Sequence, residues 1–241
     1  MRGAPAPTLW GGPPAGGRLR TDEPADGGDA AVFLGRVTAL DHGALVRLRH
    51  SAGRVTGYTR LPFGVLVSRT VAGAVEPADV TVGAFDLLGA LDRVLHRGGE
   101  LSLPASRDVE WRAALPPLSG WQRLDAVPGE VVRSLVRAGA ETLRALPPDA
   151  GASAGESLLD HEALTVSSAE RTVAVPLRVL TALAKMGFLA GSGAGGGALS
   201  GAGSPEADLV VVSAAGGWVR LAAAYGSAYH HVQPGLGLSP R

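Results

Sequence analysis

Apolar and polar residues alternate with a period of two along AVFLGRVTAL (31–40), ALVRLRH (44–50) and RVTGYTRL (54–61). The turn signals DHG and SAG separate these stretches, so the pattern predicts a three-stranded antiparallel meander. The period then changes. FDLLGALDRVLH (85–96) places Phe85, Leu88, Leu91 and Leu95 on one helical face. PGEVVRSLVRAGAETLRAL (128–146) starts at Pro128, carries the stripe Val132, Leu135, Val136, Gly139 and Leu143, and is stopped by Pro147-Pro148. Further on, ALTVSSAERTVAV (163–175) reads as a hairpin and PLRVLTALAKMGFL (176–189) as a helix opened by Pro176. DLVVVSAAGGWVRLAAAY (208–225) reads as a second hairpin around Ala215-Gly216.

This order predicts an α+β fold: an antiparallel sheet, made of an N-terminal three-stranded meander and a C-terminal hairpin-helix-hairpin, covered by three main helices. Residues 30–150 would hold the meander and two helices, and residues 156–232 a sheet with one helix. Two low-complexity stretches flank these parts. Residues 1–29, rich in Gly, Pro and Asp, are expected to form a disordered tail, and 190–207 a glycine-rich loop. No internal repeat is visible. A winged-helix reading of 158–222 competes, but its recognition helix would offer only Arg178 and Lys185 to phosphates.

The meander has one charged side. A two-residue turn at Ala52-Gly53 sets Arg47 opposite Tyr58 and Arg49 opposite Thr56. Alternation then puts Arg47, Arg49, Arg54, Tyr58 and Arg60 on one face, with Val46, Leu48 and Val55 on the other. A preceding turn at His42-Gly43 would add Arg36 to the polar face. This register is preferred because it alone gathers the apolar residues of both strands.

Charge sharpens the point. The 241 residues carry no net charge, yet 31–70 hold six Arg against Asp41, while 71–170 hold 15 acidic residues against eight Arg. The two regions either serve different partners or dock on each other. Lys185 is the lone lysine, an actinobacterial-type composition typical of a GC-rich genome, so one arginine alone carries little weight. The absence of cysteine excludes disulfides, thiolate metal sites and thiol catalysis. Neither a signal-peptide core nor a run of 18 apolar residues occurs, and the expectation is a cytoplasmic protein with no membrane partner.

Arginine's planar fork suits phosphate and carboxylate, and an aromatic beside it suits a base. The function expected is therefore non-catalytic binding or regulation. Arg36, Arg47, Arg49, Arg54 and Arg60 would hold a polyanion, a nucleic acid or an acidic protein surface, with Tyr58 stacking. No cofactor is expected. One alternative is a small-molecule or metal-dependent enzyme whose acid-base or metal groups are Asp160, Glu162 and a C-terminal histidine (His230 or His231), with Tyr225 and Tyr229 shaping the pocket. Another is a homo-oligomeric scaffold. The chain lacks a GxSxG elbow, a P-loop and metal-ligand spacings such as HExxH, which places the enzyme second.

Overall fold

The structure, a computed structural model, describes residues 17–97, 101–147, 151–191 and 208–232. Its first part runs β1 (Arg18–Thr21), α1 (Pro24–Leu40), β2 (Leu45–Ser51), β3 (Arg54–Arg60), β4 (Leu66–Glu76), β5 (Asp79–Gly83), α2 (Ala84–Arg97) and β6 (Leu101–Ser102). A 3-10 turn at Asp108–Glu110 follows. The second part runs β7 (Gln122–Pro128), α3 (Gly129–Ala145), α4 (Gly151–Asp160), β8 (Glu162–Ser167), β9 (Thr172–Pro176), α5 (Leu177–Lys185), β10 (Leu209–Ala215), β11 (Trp218–Ala223) and β12 (Gly226–His231). The fold is α+β, with helices on one face of an antiparallel sheet.

The hairpin β2–β3 turns at Ala52-Gly53, both at positive φ (51° and 70°), which suits the right-handed twist of the two strands. Arg47 pairs with Tyr58 and Arg49 with Thr56, the register the alternation predicts. A side chain at Ala52 is costly there, because a Cβ crowds the next carbonyl in the left-handed region. Ala52→Asn is therefore expected to raise stability by up to about 1 kcal/mol, since asparagine tolerates that region. Thermal melting checks this, and a lower Tm contradicts it.

The meander's third strand is β4, and AVFLGRVTAL belongs to α1 instead. Its alternation is real but local. Phe33, Leu34 and Val37, with Leu40 packed beside them, recur at helical spacing and are buried against the sheet. Pro24 in the first turn, where its missing N–H costs nothing, opens the helix. The expected tail 1–29 is corrected accordingly: 17–29 form β1 and the start of α1, and 1–16 lie outside the described residues. β1 is held because it pairs with β4, Arg18 opposite Glu76 and Thr21 opposite Gly73. The three expected helices are present as α2, α3 and α5, and α1 and α4 join them. Of the stretch 190–207, all but Ala190 and Gly191 lies outside the described residues.

Strand order in the main sheet is β5-β2-β3-β4-β12-β11-β10-β7, with β1 and β6 continuing beyond β4 and β8–β9 forming a separate hairpin. The segments α1-β2-β3-β4 and α5-β10-β11-β12 thus repeat one plan, a helix followed by a meander, although no sequence motif is shared. The third strands of the two meanders pair with each other, Leu66 to Ser68 against Tyr229 to Ser227. α2 stays with the first meander, whereas α3 packs on α5 and β7 pairs with β10.

Between the two halves, side chains supply the rest of the junction. Phe33 of α1 stacks on Phe188 after α5, ring centroids 6.3 Å apart. Arg36 donates to the Met186 carbonyl, and Arg178 donates from Nη1 to the Phe63 carbonyl at 2.6 Å. Arg69 of β4 pairs with Asp29 and lies 5.7 Å over the Tyr225 ring. Each of these arginines satisfies backbone or carboxylate groups at a seam where ladder hydrogen bonds are few.

Candidate anion-binding face

The outer face of the sheet, away from the helices, follows directly from strand register. Arg47, Arg49 and Ser51 of β2 share it with Arg54, Thr56, Tyr58 and Arg60 of β3. Pairing carries it on to Leu66 and Ser68 of β4, Ser227 and Tyr229 of β12, and Trp218 and Arg220 of β11. Ser213 of β10 and Arg123 of β7 complete it. Between β5 and β7 this face holds Arg47, Arg49, Arg54, Arg60, Arg123 and Arg220 against Asp79 and, at the end of β4, Glu76, with Asp125 at the bulged edge strand. The five helices among the described residues, by contrast, carry eight acidic and eight basic residues, so positive charge concentrates on the sheet side.

Not all of it is free. Asp79 of β5 accepts from Arg47 Nε at 2.7 Å and Nη2 at 3.1 Å, and lies 3.4 Å from Arg49 Nε. That fork-to-carboxylate geometry raises the Arg47 pKa further. Asp108 adds its charge nearby, while its Oδ1 accepts the Thr81 amide at 2.6 Å. Burial works against the Asp108 carboxylate, but hydrogen bonds from Ser106 and Thr81 and the charge of Arg47 outweigh it and lower its pKa. The acidic middle of the chain therefore docks on part of the arginine face. Arg54 and Arg60 remain exposed, and neither they nor Arg123 and Arg220 meet a carboxylate among the described residues.

Two expected site residues lie elsewhere in chemistry. Arg36 sits on α1, because the segment is a helix, and its guanidinium is spent on the Met186 carbonyl across the half-to-half junction. Tyr58 is on the right face but only 7% exposed. It packs with Leu66 and Tyr229 under Trp111, Leu115 and Trp121. Burial first, and then Tyr229, push its hydroxyl up to about 12, although Arg49 and Arg220 pull the other way. A buried ring cannot stack on a base, so the stacking role of Tyr58 is corrected.

Sequence reading saw one aromatic on this face; pairing of the two halves brings several more. Tyr229 lies 6.2 Å from Tyr58 and 6.0 Å from Trp121, and its hydroxyl meets Ser68 Oγ at 3.1 Å. Arg220 stacks over the Trp121 ring at 4.6 Å, and Trp218 packs on His231 at 4.7 Å. Only the alternation of WVRLA, with Trp218 and Arg220 two apart, signalled the second half of the site, and the pairing of β12 with β4 that joins it to the first half was not legible.

The groups of the enzyme alternative come together only in part: Asp160 and His230 lie within electrostatic reach, with Arg178 acting on both. Asp160 ends α4 and accepts from Arg178 Nε at 2.7 Å. Tyr225 lies in the β11–β12 turn against the main core, whereas Tyr229 faces outward. His230 points to the helix side, its pKa lowered by burial, Arg178 and His231 against the opposing pull of Asp160. No group of three potential metal ligands occurs among the described residues. No helix among them is long and apolar enough to cross a membrane.

Two family models match the chain in succession: residues 15–113 match one described as Domain of unknown function (DUF8010), and 116–235 one described as Domain of unknown function (DUF8185). No curated protein matches. Among solved structures, a Bartonella birtlesii DnaN sliding clamp (DNA polymerase III subunit beta), bound to griselimycin, is 11% identical. The similarity covers 93% of this chain and 66% of the clamp, with a TM-score of 0.50. Caulobacter crescentus pol III beta follows at 10% identity, 93% and 68% coverage and a TM-score of 0.49. The Helicobacter pylori beta clamp in complex with Carprofen follows at 9%, 93%, 67% and 0.49. The chain thus spans about two thirds of the length of the clamps it is similar to, and the likeness to the first concerns architecture alone.

Proposed function

We propose that this chain is a non-catalytic binding protein that engages an anionic partner through the outer face of its sheet. The observation carrying this reading is the separation of charge between the two faces. The helices among the described residues balance eight acids with eight bases, while the outward positions from β5 to β7 hold six arginines against Glu76, Asp79 and Asp125. Arginines facing one another across strands repel at some cost. A face with a purely structural role would be expected to pair each with a carboxylate, and Arg54, Arg60, Arg123 and Arg220 have none among the described residues. The likeness to sliding clamps agrees with binding rather than catalysis, and the cytoplasmic setting and homo-oligomeric assembly considered from the sequence fit the same reading.

The test is fluorescence anisotropy of a labelled duplex oligonucleotide, used as a phosphate probe, and of labelled polyglutamate, at salt from 20 to about 200 mM. Binding is expected for both at low salt. With at most four arginines available, the duplex should lose affinity with a log–log salt slope no steeper than about −3.6. Absence of binding to either probe at low salt would overturn the reading.

A further inference from the structure

Residues 104–121, between β6 and β7, cross the outer face as a strap. Its first part is fastened by backbone: Leu103 N–H donates to the Gly17 carbonyl at 2.7 Å and Arg107 N–H to the Thr81 carbonyl at 2.8 Å. From Arg112 to Trp121 no backbone hydrogen bond ties the strap to another element among the described residues. The two indoles donate to the strap's own carbonyls, Trp111 Nε1 to Ala113 at 2.6 Å and Trp121 Nε1 to Pro117 at 2.9 Å. What holds this part down is side-chain packing on the trough of Tyr58, Leu66 and Tyr229. That trough is separate from the main core. Of the strap's charges, Asp108 adds its field to that of Asp79 at Arg47, while Glu110 pairs with the strap's own Arg107.

We propose that this trough is a docking site for an acidic, tryptophan-bearing segment of a partner protein, and that the strap is the chain's own occupant of it. The inference rests on the anion-binding reading and names its partner class. Three features fit such a segment. The trough is apolar and floored by two tyrosines, so it accepts an indole or a leucine, which a phosphate backbone does not provide. Arginines lie on both sides of it, Arg49 and Arg220 each acting on the Tyr58 hydroxyl from opposite strands. Arg220 Nε is buried with no hydrogen-bond partner among the described residues, a donor that a carboxylate on the incoming segment would satisfy. Because the strap is tethered, it competes at a high effective concentration, and a partner binds by displacing it.

The experiment uses a fluorescent peptide with the sequence of residues 106–118, SRDVEWRAALPPL. It is titrated against the unmodified chain and against the chain carrying Asp108→Asn, Trp111→Ser and Leu115→Ser. The variant, its own strap disabled, is expected to bind the peptide at least about tenfold more tightly than the unmodified chain. A peptide whose tryptophan is replaced by serine should lose most of that affinity. Equal binding to both chains, or no loss with the serine peptide, overturns the proposal. So does displacement of the peptide by a duplex oligonucleotide of tighter affinity, which would assign the face to nucleic acid. If the triple variant does not fold, hydrogen exchange on the unmodified chain decides: excess peptide should accelerate exchange at 112–121, and unchanged exchange overturns the proposal. Binding of both polyanion probes without peptide binding removes this inference alone; failure of all probes removes the anion-binding reading with it.

Discussion

Phe188→Ala is expected to cost about 3–5 kcal/mol of stability, the range for deleting a fully buried phenyl group with limited collapse around the cavity. Phe188 is 2% exposed and stacks on Phe33 from the other half of the molecule. Its backbone also matters, because the Phe188 carbonyl accepts the Tyr225 amide at 3.1 Å and so ties the end of α5 to the β11–β12 turn. The mutation leaves that bond but removes the ring between the halves. The remaining junction is the pairing of β4 with β12 over Leu66 to Ser68, the contacts of Tyr58 and Ser68 with Tyr229, Arg69 over Tyr225, and Arg36 and Arg178 reaching across. Calorimetry is therefore expected to resolve two transitions in the variant. Leu91→Ala is the control: equally internal to its own half, it should cost about 2–5 kcal/mol with a single transition. One unbroken transition for Phe188→Ala would contradict the view of that ring as a clasp.

Reversing Arg54 and Arg60 to glutamate has the largest expected effect on binding. Each phosphate contact on duplex contributes a slope of about 0.9 in log affinity against log salt, roughly an eightfold factor at 0.1 M relative to 1 M. Loss of two contacts should weaken the duplex probe by roughly 60-fold and flatten the slope by about 1.8. Folding should be little affected, since both side chains are exposed and neither has a carboxylate partner among the described residues to lose. Arg47 and Arg49 are the less informative targets, because Asp79 would be left unpaired by their removal.

What the sequence disclosed depended on how local the physics was. The β2–β3 register was legible because turn chemistry and the apolar set Val46, Leu48, Val55 agreed on it. Helices α2, α3 and α5 were legible from period and proline placement. The segment 31–40 misled because Arg36 and Thr38 alternate with Val37 and Ala39, while burial selects Phe33, Leu34 and Val37 at helical spacing. Glycine and aspartate upstream, in PADGGD, resembled a tail, yet Asp26 and Asp29 are used: Asp26 Oδ1 accepts the Ala72 amide at 3.0 Å, and Asp29 pairs with Arg69. Such tertiary hydrogen bonds leave no trace in periodicity. The aromatic half of the candidate site was hidden for the same reason. Tyr58 and Tyr229 are 171 positions apart and meet only because β4 and β12 pair.

The central claim, that partners meet the sheet face and not the helix face, is tested most directly by one comparison of affinities. Two double reversals are titrated with the same labelled duplex at one low salt concentration: Arg54→Glu/Arg60→Glu on the sheet, and Arg93→Glu/Arg144→Glu on exposed positions of α2 and α3. The helix pair removes the same formal charge, so long-range electrostatics alone would weaken both equally. The sheet pair is expected to lose most of the binding while the helix pair stays within a few-fold of the unmodified chain. Loss of binding in the helix pair with retention in the sheet pair would contradict the account and place the partner on the helices.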